Sequence, residues 1–249
     1  ICNTAMILAI SMIFMPIAVK RADYAPKSLL LIAAVTTLFL FARGGSLTTV
    51  GAMALLAIFA LYIAENIRSA KTSGGDDDLG CPPTDKKSVV SNILRVVLGA
   101  AGIVAGSQLL VNSGSNIAAR WGVSEAIIGV TIVAVGTSLP ELVTAVSSVI
   151  KKQADMSVGN VIGANVIDTT LILAACSFIY GGSLPVSAQN IYLDFPVAIV
   201  VSLIAAVPTI IKGRFNRWEG GLLLILYIAY LVVVTTRLNW YLGLFGVMA

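Results

Sequence analysis

Apolar residues fall along this chain in eight blocks, at 1–19, 28–41, 47–64, 89–118, 123–150, 157–179, 192–211 and 220–234, with polar turns between them. Blocks of this kind cross the roughly 30 Å hydrocarbon core of a bilayer as α-helices, for which about 20 residues suffice. The pattern therefore predicts eight membrane-spanning helices. One polar stretch is long: residues 68–87, RSAKTSGGDDDLGCPPTDKK, are rich in Gly and Pro and read as a linker. It separates three helices over 1–67 from five over 88–249.

The chemistry is concentrated between Gly129 and Asp168, GVTIVAVGTSLPELVTAVSSVIKKQADMSVGNVIGANVID. Glu141 and Asp168 stand deep in apolar blocks, where an ionised carboxylate costs roughly 2.5 kcal/mol or more even on a lenient insertion scale. Each follows a helix-weakening segment, Gly136-Thr137-Ser138-Leu139-Pro140 for Glu141 and Gly159 to Asn165 for Asp168. Pro140 has no N–H, so the carbonyl of Gly136, four residues earlier, loses its usual donor. Thr137 and Glu141 share a helix face, as do Ala164 and Asp168, so hydroxyl, backbone and carboxylate oxygens can converge on one point. An all-oxygen cluster favours hard ions such as calcium, magnesium or sodium.

Composition confirms the membrane reading: the 249 residues are 58% hydrophobic and 11% charged, with a mean hydropathy of +0.96, far from a soluble domain. The net charge of +4 is not nucleic-acid basicity, because the cations lie in short loops with no interleaved aromatic stripe. There is no His, which excludes imidazole relays, and Cys2, Cys81 and Cys176 lack metal-ligand spacing. Cys2 and Cys176 read as free thiols. Thirteen Lys and Arg residues occupy alternate loops on one side, against Arg43, Arg120 and Arg237 on the other. The positive-inside rule then places the linker in the cytoplasm and the C-terminus outside.

An internal repeat gives the two acids a frame. ICNTAMILAI at Ile1 to Ile10 aligns with VIDTTLILAA at Val166 to Ala175, which sets Asn3 on Asp168 at an offset of 165. The same offset sets Leu61-Tyr62-Ile63-Ala64 on Leu226-Tyr227-Ile228-Ala229. The aligned helices cross in opposite directions, the mark of an inverted-topology repeat, whose ion sites lie at mid-membrane on broken helices. The predicted fold is an all-α polytopic membrane protein of two inverted repeats with five helices each, eight of those ten being present here. The first two helices of the first repeat, and with them a counterpart of Glu141, are expected upstream of Ile1.

These motifs resemble those of the sodium/calcium exchangers of the cation/calcium exchanger superfamily, especially prokaryotic members. The resemblance is carried by GTSLPE at Gly136 to Glu141, by GNVIGAN with a following acid at Gly159 to Asp168, and by ICN at Ile1 to Asn3, which is similar to the tail of the first repeat's motif. It implies a multi-pass antiporter of a prokaryotic cell membrane, neither an enzyme nor a cofactor protein, that swaps sodium for calcium by alternating access. Its partners would be those ions and the lipid bilayer, with no nucleic acid. Carried onto matching positions, the resemblance makes Glu141 a shared calcium and sodium ligand and lets Thr137 and Ala134 offer hydroxyl or backbone oxygens. It sets Ser138 on the same cavity and Asp168 with Asn3 at the centre. Ala164 departs from the pattern, since many members have serine there, and the departure removes side-chain ligation from one sodium site. Facing carboxylates repel unless calcium or a set of sodium ions neutralises them, and a carrier that crosses only when neutralised exchanges rather than leaks.

Proton- or potassium-coupled calcium exchange on the same fold is the alternative, because such oxygens serve several ions and Asp168 is titratable. A cation channel fits less well, since acidic pores are normally rings from symmetric subunits. Other features have plainer readings. Gly102-x-x-x-Gly106 fits close helix packing, whereas Gly159-x-x-x-Gly163, beside Asn and Asp, is read toward the site. Asp76 to Asp78 form a solvated linker face. Glu125 and Asp194 stand near helix starts, where the dipole favours carboxylates, and Asn112 and Asn190 read as interfacial.

Overall fold

A computed structural model describes residues 1–14, 17–73, 86–123, 125–151 and 153–237. Its helices are α1 (Asn3–Phe14), α2 (Arg21–Ala42), α3 (Thr49–Ser73), α4 (Lys86–Arg120), α5 (125–137), α6 (Leu139–Ile150), α7 (154–179), α8 (Asn190–Lys212) and α9 (Arg217–Thr236). Six are long and apolar enough to span a membrane. The bent pair α5 and α6 makes a seventh span, and α1 is a shorter apolar helix. Every predicted block thus contains a helix.

The linker is shorter than the sequence suggests. α3 continues to Ser73 and α4 begins at Lys86, inside the predicted 68–87 boundaries. Local bonds carry α3 onward: Arg68 pairs with Glu65 at 3.1 Å, and the Ser69 hydroxyl donates to Asp23 on α2 at 3.1 Å. The Asp76 to Asp78 face and Cys81 lie outside the described residues.

Four short strands, β1 (Ile17–Ala18), β2 (Ser46–Thr48), β3 (Ser183–Pro185) and β4 (Arg214–Phe215), were not legible as apolar blocks. β1 pairs antiparallel with β4, and β2 with β3. The pairing carries the inverted repeat: β1 and β3 follow the equivalent helices α1 and α7, while β2 and β4 follow α2 and α8. Exchanging the halves therefore turns one ribbon into the other. Likewise α1 packs on α9 as the last part of α7 packs on α3.

The core is centred on α1. Ala5, Ile7, Leu8, Ala9 and Met12 are fully buried there, and Asn165 of α7 donates to the Thr4 hydroxyl at 2.6 Å while Ser157 donates to Ser11 at 3.1 Å. Buried polar groups need such partners, because an unpaired one costs free energy wherever water is absent. α4 lies at the periphery, with Val90, Leu94, Val97 and Leu98 exposed.

The two glycine pairs differ from their sequence reading. A Cβ at Gly102 or Gly106 would meet nothing within 4 Å among the described residues, so no packing notch is formed there. A Cβ at Gly159 would stand 3.3 Å from the Tyr24 hydroxyl and one at Gly163 would stand 2.8 Å from that of Tyr62. Gly159 and Gly163 are therefore notches where α7 meets α2 and α3. Gly163→Ala is expected to lower the thermal midpoint in detergent by roughly 3 °C, about 1 kcal/mol at this size. Adding Tyr62→Phe removes the clashing oxygen and should recover most of the loss; a double variant no better than the single one would place the cost elsewhere.

Candidate cation site

The break between α5 and α6 is a 49° bend, at Ser138 with φ −85° and ψ −1°. Pro140 sits in the first turn of α6, where a missing N–H leaves no intrahelical bond unmade. The same turn holds Glu141, at the helix end that favours negative charge. On the α5 side, the Thr137 hydroxyl donates to the carbonyls of Val133 at 3.0 Å and Ala134 at 3.3 Å. Its hydrogen is thereby turned away, and its oxygen lone pairs remain for a cation.

The two repeat-related residues share a backbone device. A π-helical segment begins at Asn3 (Asn3–Leu8) and another at Asp168 (Asp168–Ile172). Such turns hold an extra residue and are frequent at functional sites. Asn3 is 8% exposed, and its Oδ1 has no donor among the described residues. The Asp168 carboxylate likewise accepts no hydrogen bond from them.

Around these groups lies a cavity of about 380 Å³. Asn3, Ala134, Thr137, Ser138 and Asp168 all line it, so five of the six residues singled out from sequence come together. Glu141, the sixth, stands in the first turn of α6 and is not on the lining. Its Oε2 is buried without a donor among the described residues. No three Asp, Glu or Cys side chains converge closely enough among the described residues to hold an ion by themselves. The donor set is instead carboxylate interleaved with amide, hydroxyl and carbonyl oxygen, which suits a hard cation that must also leave.

The cavity has further walls that sequence reasoning missed, namely Asn165, Thr169, Asp194, Tyr227 and Tyr230. Asp194 is the correction of most consequence. Rather than merely standing near a helix start, it lines this cavity and accepts from Tyr230 Oη at 3.0 Å, Asn190 Nδ2 at 3.0 Å and Gln189 Nε2 at 3.4 Å. Asn190 is thus an anchor for Asp194 rather than a general interfacial amide. Its spacing of four from Asp194 was the available signal. No Lys or Arg is among the described lining residues.

Helical spans, an inverted repeat and a central oxygen-lined cavity define a polytopic cation carrier. Residues 91–236 match the model of the sodium/calcium exchanger protein family. Over 240 residues, 92% of this chain and 74% of the relative, the sequence is 31% identical to the proposed antiporter CaxA of Alkalimonas amylolytica. Over 143 residues, 57% of this chain and 40% of the relative, it is 38% identical to the sodium/calcium exchanger MaX1 of Methanosarcina acetivorans. The solved sodium-calcium exchanger NCX_Mj, soaked with 10 mM Na+ and zero Ca2+, superposes with a TM-score of 0.73 at 27% identity, covering 95% of this chain and 74% of that one. The chain belongs to the sodium/calcium exchanger family.

Proposed function

We propose that this protein exchanges sodium for calcium across a membrane by alternating access, and that the cavity beside the α5–α6 break is its ion site. The observation that carries the reading is the meeting, at one cavity, of two repeat-related π-turns starting at Asn3 and Asp168 with the broken helix that bears Glu141. Glu141 and Asp168 supply charge, and Asn3 Oδ1, Thr137 Oγ1, Ser138 and the Ala134 carbonyl supply neutral oxygens. One calcium or several sodium ions neutralise the pair, and the emptied site, with its buried carboxylate charge, is held from crossing.

Charged loops give the site a side. The ribbons set Lys20 and Arg21 next to the loop of Lys212 and Arg214, apart from the ribbon that follows Arg43. With the basic side in the cytoplasm, Gly129, Ala134 and Asp194 come early in helices that run inward and Tyr230 late in one that runs outward. The cavity then lies in the outer half of the bundle, and the C-terminus is outside.

The test is calcium-45 uptake into proteoliposomes of the full-length protein with sodium loaded inside. Uptake is expected with the sodium gradient and should vanish when sodium is equal on both sides. Uptake under a proton or potassium gradient alone would replace the coupling ion. That second reading is favoured by one observation, the Asp168 carboxylate without a hydrogen-bond partner among the described residues, a group available to a proton.

A further inference from the structure

We infer that Asp194 is a third, fixed carboxylate of the ion path, which coordinates no ion but sets the potential of the cavity and favours calcium over sodium. The inference rests on the exchange reading above and adds a residue that the GTSLPE and GNVIGAN motifs do not contain.

Three observations carry it. First, Asp194 shares the cavity wall with Asp168, and no described lining residue brings a positive side chain to offset it. Second, both of its oxygens are already engaged: Oδ1 accepts from Tyr230 and Gln189, and Oδ2 from Asn190 and Gln189. The amide orientation at Asn190 is fixed, because its Oδ1 accepts from the backbone N–H of Ser187 at 3.3 Å and from the Ser187 hydroxyl. Only N–H donors of Asn190 can therefore face Asp194. Donors on every side suit a carboxylate anion, and they leave it little reason to turn toward a passing ion. Third, the same cavity holds a group that waits for a ligand, Asn3, 8% exposed with an unpartnered Oδ1.

A fixed charge acts on an ion in proportion to the ion's own charge. Calcium therefore gains twice what each sodium ion gains from Asp194, whereas a purely packing residue has no reason to produce that ratio. The cavity wall thus contributes to selectivity without touching the ion.

The experiment measures half-saturating calcium and sodium for exchange by the full-length protein, with calorimetric binding of each ion to the purified protein in parallel. Asp194→Asn is expected to weaken sodium about threefold and calcium about tenfold, so that the logarithmic shift for calcium is twice that per sodium ion. Asp194→Glu retains the charge and should return both values toward the wild type. Gln189→Lys neutralises the carboxylate without altering it and should reproduce the calcium-weighted loss even if Asp194→Asn fails to fold. Equal factors for the two ions, or no shift, in the variants that fold would overturn the inference. Wild-type protein that binds both ions but does not exchange them would refute the exchange reading alone, leaving the binding shifts to decide the role of Asp194. Failure of the wild type to bind either ion would overturn both.

Discussion

Glu141→Gln is expected to abolish sodium-driven calcium uptake, with a loss of at least about a hundredfold, while the protein remains folded. The substitution keeps the shape of the side chain and removes its charge. Because Glu141 Oε2 accepts no hydrogen bond from the described residues, no structural partner is lost with the carboxylate. What is lost is half of the negative charge supplied by Glu141 and Asp168. A cation at ligand distance from a carboxylate gains several kcal/mol even at an effective dielectric constant of about 20. Forfeiting about 3 kcal/mol of that gain already weakens binding more than a hundredfold. The measurement is calcium-45 uptake beside a size-exclusion profile. Uptake at the wild-type level would remove Glu141 from the ion path; uptake lost together with the monodisperse peak would mean that the residue supports the fold.

The largest effect on stability is expected at Gly220, near the start of α9. A Cβ there would stand 2.7 Å from the Ala9 carbonyl oxygen, 3.0 Å from Met12 Cβ and 3.1 Å from Ile13 Cγ1. The obstacle is backbone, and it belongs to the most deeply buried helix in the described fold, so it cannot swing aside as the end of a side chain could. Overpacking of this kind costs about 1–3 kcal/mol or more. For Gly220→Ala the thermal midpoint should fall by about 10 °C. Gly221 is the control, since a Cβ at that position meets nothing within 4 Å. Gly221→Ala should be neutral or slightly stabilising, as alanine favours a helix over glycine by roughly 1 kcal/mol. Equal losses at the two positions would show that helix propensity, not the contact with α1, decides the outcome.

The spans were readable in the sequence because each is a long apolar block, and the residues that meet at the candidate cavity because acids are costly in such blocks and Asn3 and Asp168 recur at one offset. What escaped notice depends on tertiary neighbours. Gly102-x-x-x-Gly106 and Gly159-x-x-x-Gly163 are the same word, yet only the second meets tyrosines, and no local pattern says which helix will lie opposite. Asp194 read as a charge near a helix start. Its cavity face follows from Tyr230, 36 residues away on another helix. The strands are two or three residues long, too short to show a period. The linker edges moved because Arg68 and Ser69 find partners on α2 and α3 that carry the helix onward.

The ribbons have a mechanical consequence. β1, α2 and β2 are consecutive, as are β3, α8 and β4, and the two runs lie antiparallel with their strands hydrogen-bonded at both ends. Between those ends α2 and α8 pack along each other extensively. A pair of rods lashed at top and bottom resists both shear and splay. It is suited to be the stator of the machine, the frame against which other helices slide when the site changes the side it faces.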